Sequence, residues 1–199
     1  MTSVRFFLLV TSILLPFVLV GCDSGGATGS AGGDTAIFNA NSPIPPTVEY
    51  EFEYDQNDRV DGSDFVEVTS NSTDDLEDVL DENGGFRRSS IVSARVDSVK
   101  FSQVSPKNNE PSAPKFVFDN LRRASVFLGT DANGAQIAEG EFDPNSDAEE
   151  VSLSRITTDV TQTIKNGSTK AFLRLEVSDI SRKDIVDVKV FYRIKVEGV

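Results

Sequence analysis

The amino-acid sequence predicts a mostly all-β protein, an antiparallel β-sandwich with one short helix near residues 74–83. Three observations carry that expectation. Residues 48–54 alternate strictly, with Val48, Tyr50, Phe52 and Tyr54 on one side and Glu49, Glu51 and Glu53 on the other, as in a half-buried strand. Further short apolar segments follow towards the C-terminus with Gly, Asn, Asp and Pro between them, the spacing of a sandwich rather than of a helical or α/β fold. Helical phase is confined to one short stretch and one additional turn.

The folded region is expected to cover 47–199. After the strand at 48–54, a loop at 55–64 leads to a short strand at 65–68. Thr73 is placed to cap a helix, Asp74 and Asp75 complement its dipole, Leu76, Val79 and Leu80 share a face, and Gly84 can end it. Residues 91–104 read as a strand whose apolar phase changes between Val96 and Val99, which predicts a bulge or bend near Asp97-Ser98. A loop at 105–115 contains three prolines, and residues 116–121 lead into a strand at 122–129. Asp131-Ala132-Asn133-Gly134 is a turn, because Asn and Gly tolerate positive φ. Strands are then expected at 135–140, 149–154, 171–177 and 185–196, with a helical turn at 159–167 ended by Gly167.

The N-terminus is read separately. Arg5 and the apolar run 6–20 form a signal peptide over 1–21; the run is short of a bilayer's hydrocarbon thickness and carries Pro16. The following Leu19-Val20-Gly21-Cys22 resembles a bacterial lipobox, which implies that Cys22 becomes lipid-modified and N-terminal. Several acyl chains anchor a protein almost permanently, so the expected membrane partner is the lipid bilayer, reached through Cys22. Residues 22–46 are rich in Gly, small polar residues and Pro, and are expected to be a tether. Ile37 and Phe38 are exceptions within it, suited to docking on the domain or on a partner. The expected location is the cell envelope, at the outer membrane or the periplasmic face of the inner membrane.

Composition narrows the chemistry. A net charge of −13 argues against a nucleic-acid partner and is expected to repel an anionic lipid surface as well. The chain has no His and one Cys, so with Cys22 acylated a Ser-His-Asp triad, a Cys-His pair and a conventional zinc site are excluded, and no catalytic residue is assigned. Glu49, Glu51 and Glu53 stand about 6.5–7 Å apart along one strand, a spacing open to acid-base work. The competing account is a solvent face balanced by cations on a neighbour. Since Lys189, Arg193 and Lys195 share one side of the last strand, the first and last strands are expected to lie side by side with Glu opposed to Lys or Arg. In the acidic loop at 55–64, Asp55, Asn57, Asp61 and Asp64 are candidate Ca²⁺ ligands. The spacing departs from an EF-hand loop, with Arg59 at the third ligand position and Val66 where a Glu would stand, so a solvated acidic loop is the other account. No other cofactor is expected.

The closing half carries a resemblance. FDNL at 118–121, VFLG at 126–129, Ile137-Ala138, the Asp159-Val160-Thr161 turn and the strands FLRLEV and DVKVFYRIKV together look like small immunoglobulin-like lipoproteins of Gram-negative bacteria. The likeness covers about residues 91–199 and implies an immunoglobulin-like sandwich on a lipid tether, with no catalytic residues attached. The functional expectation is a non-enzymatic binding or structural module for an envelope protein. The alternatives are a glycan-binding module, for which Phe127 and Phe191 are the aromatic residues to inspect, and a calcium-dependent adhesion domain.

Overall fold

Alternation along the chain becomes strand pairing in the computed structural model, which describes residues 35–104, 120–143, 148, 150–157, 159–167, 169–178 and 184–197. The strands are β1 (Thr35–Phe38), β2 (Thr47–Tyr54), β3 (Phe65–Thr69), β4 (Ile91–Val104), β5 (Leu121–Leu128), β6 (Ala135–Glu141), β7 (Glu150–Arg155), β8 (Ala171–Val177) and β9 (Asp184–Glu197). Two short α-helices, α1 (Leu76–Glu82) and α2 (Thr161–Lys165), complete them.

All pairings are antiparallel. β1 and β2 each lie along part of β9, β9 pairs with β4, and β4 pairs with β7. A second group runs β3, β8, β5, β6. The two groups meet where Ala138 of β6 faces Arg155 of β7 and Glu139 faces Ser154, so one continuous path of strands folds over on itself as a sandwich. Because side chains alternate across each strand, every second residue enters the space between the layers. Tyr50 and Phe52 of β2, Val99 and Phe101 of β4, Leu173 and Leu175 of β8, and Tyr192 and Ile194 of β9 are all fully buried there, closed at one end by Leu80 of α1 and Ile164 of α2.

Several expectations are refined by this packing. The pairing register of β4 against β9 slips between Val96 and Ser98, at the phase change seen in the sequence, and a second slip occurs between Ile91 and Ser93. Thr73 does not cap α1. The helix begins at Leu76, whose N–H is accepted by the Asp74 carboxylate, and that carboxylate also receives Arg88 and the Thr169 N–H. Gly84 and Gly85, both at positive φ, take the chain out of the helix. In the β5–β6 hairpin no non-Gly residue adopts positive φ among the described residues, and the constraint on Gly134 is close approach: a Cβ there would overlap the Leu128 carbonyl oxygen.

The largest correction concerns the expected tether. Residues 35–38, assigned to it by composition, form a sheet strand opposite 194–197 of β9. Phe38 supplies the reason: it is buried and packs at 5.6 Å from the ring of Phe86. Cys22, the signal segment and residues 23–34 of the tether lie outside the described residues, as does the loop at 105–115.

Candidate functional site

The outer face of the β4–β9 pair carries the arrangement with the clearest chemical character. On β9, burial of Val190, Tyr192, Ile194 and Val196 turns Lys189, Phe191, Arg193 and Lys195 outward. On β4, burial of Ala94, Val96 and Val99 turns Arg95 and Lys100 outward. The register then places cations directly opposite one another twice, Lys100 against Lys189 and Arg95 against Arg193. Like charges directly opposed on neighbouring strands are destabilising unless a counter-charge intervenes.

The two pairs are treated differently. Lys100 Nζ is 2.7 Å from Glu150 on β7, and Lys189 Nζ is 3.2 Å from Glu49 on β2, so each lysine has a carboxylate on its flank. Arg193 reaches Asp97 at 3.1 Å. Arg95 has no carboxylate within 4.0 Å among the described residues, and its neighbour in the cleft, Arg155, donates only to the Val96 carbonyl, at 3.4 Å. Asp159, which sits beside Arg95, accepts through Oδ1 from both the Thr161 hydroxyl at 2.7 Å and the Thr161 N–H at 3.1 Å. Those bonds, with a smaller contribution from Arg95, hold the Asp159 carboxyl below its ordinary value.

Around these side chains lies an open cleft of about 340 Å³. Among the described residues, Arg95, Arg155, Arg193 and Lys195 line it with a single carboxylate, Asp97, and at its rim stands Ile37 of β1, 57% exposed. Four cations to one anion is a local reversal of sign in a chain of net charge −13. Chemically the cleft can hold an anion, with guanidinium forks suited to phosphate or carboxylate. Sequence reasoning missed it. Arg193 and Lys195 were legible as one side of a strand, but the pairing of Arg95 with Arg193 depends on a register set after the bulge.

The residues singled out in the sequence fall elsewhere. β2 does lie against β9, and Glu49 meets Lys189 as expected, whereas Glu51 faces Asp187 and Glu53 faces Ile185. Of the acidic loop, Asp55 accepts the Asn57 N–H at 2.6 Å as a local cap, Asp61 is exposed in the turn, and Asp64 stands 3.9 Å from Arg59. No three acidic, His or Cys side chains converge in a geometry that could hold a metal ion among the described residues. Phe127 is buried against Phe172, with the Arg174 guanidinium 6.0 Å from its ring, and Phe191 is half-buried beneath the Lys100 ammonium at 5.8 Å. They lie on different sheets and form no common platform. No helix among the described residues is long and apolar enough to cross a membrane. No protein-family model matches the chain, and no curated protein matches it.

Proposed function

We propose that the protein is a lipid-anchored, non-catalytic binding module of the cell envelope. The observation that carries the reading is Leu19-Val20-Gly21-Cys22 at the end of an apolar run, lipobox-like in order and placement, with the first strand beginning at Thr35. In this reading Cys22 is acylated and holds the chain at the outer membrane or the periplasmic face of the inner membrane. The sandwich, grouped here with immunoglobulin-like lipoproteins on the strength of its closing strands, offers its outer sheet faces to a partner. The absence of His from the sequence supports a binding role over a hydrolytic one. So does the engagement of Glu49, the first of the three alternating glutamates, by Lys189.

Metabolic labelling with an alkyne fatty acid tests the anchor. The wild-type chain is expected to take up label and sediment with membranes. Cys22→Ser is expected to lose both properties while keeping its circular dichroism and melting temperature. A wild-type chain that incorporates no acyl group would overturn the reading.

A further inference from the structure

We infer that the cationic cleft around Ile37 is a docking surface for the anionic phosphate headgroups of the membrane that carries the chain, and that it sets the orientation of the sandwich on that membrane. The inference rests on the anchor reading for its geometry and on the cleft for its chemistry.

Three observations converge on it. Arg95 and Arg155 have no carboxylate partner within 4.0 Å among the described residues, and Arg95 stands directly opposite Arg193, an arrangement relieved by an external anion. Among the described residues, the one lining carboxylate, Asp97, is taken by Arg193, and the nearby carboxylates outside the lining are also engaged, Glu197 at 4.0 Å from Lys195 and Asp159 with Thr161. The second observation is Ile37, an exposed aliphatic side chain set opposite Lys195 in the pairing register, since an apolar tip beside long cations is suited to the boundary between headgroups and acyl chains.

The third is the route of the chain. Ile37 belongs to β1, the first strand after Cys22, and the thirteen residue steps from Cys22 to Thr35 cannot span more than about 45 Å even when drawn out. The cleft therefore lies beside the part of the fold that is closest to the anchor along the chain. The molecule's net charge of −13 disfavours approach to an anionic surface in general. A locally positive face on the strand that follows the anchor favours one orientation over the others.

The test uses the purified chain on vesicles of phosphatidylcholine alone or with one-third phosphatidylglycerol. If Cys22 is acylated, a cysteine introduced at Ser93, in the cleft, or at Ser125, on the opposite sheet, is the only free thiol for a fluorophore. Flotation on phosphatidylcholine reports the anchor alone. Quenching of the Ser93 fluorophore by headgroup spin labels is expected to rise on adding phosphatidylglycerol, and the Ser125 fluorophore is expected to stay unquenched. Each basic side chain at an anionic surface strengthens binding about fivefold, so Arg95→Gln with Arg155→Gln is expected to weaken partition of the unacylated Cys22→Ser chain onto anionic vesicles about 25-fold. Arg123→Gln with Arg174→Gln, on the other sheet, is expected to leave it unchanged.

A chain that floats but whose Ser93 fluorophore ignores phosphatidylglycerol overturns the docking surface and leaves the anchor standing. A chain that does not float removes the anchor; the Cys22→Ser partition then decides the cleft, and equal partition onto the two vesicle types overturns it. Inorganic phosphate that raises the melting temperature without vesicles, by an amount Arg95→Gln abolishes, would reassign the cleft to a soluble anion and overturn the headgroup inference.

Discussion

Asp74 shows how much one buried carboxylate can organise. Its side chain is fully buried and accepts from Leu76, Arg88 and Thr169, while Arg88 donates onward to the carbonyls of Ile164 at 3.0 Å and Gly167 at 3.2 Å. The pair thus fastens α1 to the segment around α2. Arg88→Ala strands the buried carboxylate and is expected to cost about 3–5 kcal/mol, read by urea denaturation. Tyr50 and Tyr192 make the opposite case. Both are fully buried, neither hydroxyl has a hydrogen bond of ordinary geometry, and burial pushes both above their usual value. Since the folded state resists deprotonation, the stability these groups contribute is complete below pH 10.0, their ordinary value, and is lost as pH rises beyond it. Tyr50→Phe combined with Tyr192→Phe is expected to leave neutral-pH stability within about 1 kcal/mol or raise it, and to move the alkaline unfolding midpoint upward. A midpoint that stays in place in a pH titration followed by circular dichroism would count against this account.

Among elements, β1 is the one whose existence composition alone argued against. A four-residue strand contributes little by itself, and Phe38 holds it in place by filling a site against Phe86. Phe38→Ala is expected to cost about 3–5 kcal/mol and to expose residues 35–38 to fast amide exchange. If exchange at those amides is already fast in the wild type, β1 belongs to the tether after all. The β5–β6 hairpin carries a sharper steric test. Gly134 is not at positive φ, so Gly134→Ala adds only a Cβ against the Leu128 carbonyl, and the forced backbone shift is expected to cost about 1–3 kcal/mol in thermal unfolding. Strand content was readable because alternation is a local property. The start of α1 was not, because the group that satisfies its first N–H, Asp74, is fixed in place by Arg88 and Thr169 from elsewhere in the chain.

For the whole molecule, charge is the governing quantity. With 32 acidic and 19 basic residues the compact state repels itself, while the exposed ion pairs that salt would weaken contribute little each. The Debye length falls from about 30 Å at 0.01 M salt to about 3 Å at 1 M. The melting temperature is therefore expected to rise with added sodium chloride, and calorimetry showing a fall would mean that the ion pairs outweigh the repulsion. What the sequence determined by itself were properties carried by neighbours along the chain: alternating strands, the bulge after Val96, the acidic surface, and the position of Cys22 after an apolar run. Only the tertiary structure decided that Ile37 leaves the tether for a sheet, that Arg95 meets Arg193 while Arg155 closes in beside them, and that a positive cleft opens on a negative protein. The physical reason is that register and burial select which distant strands touch, and one residue's slip in that register exchanges the face on which every side chain appears.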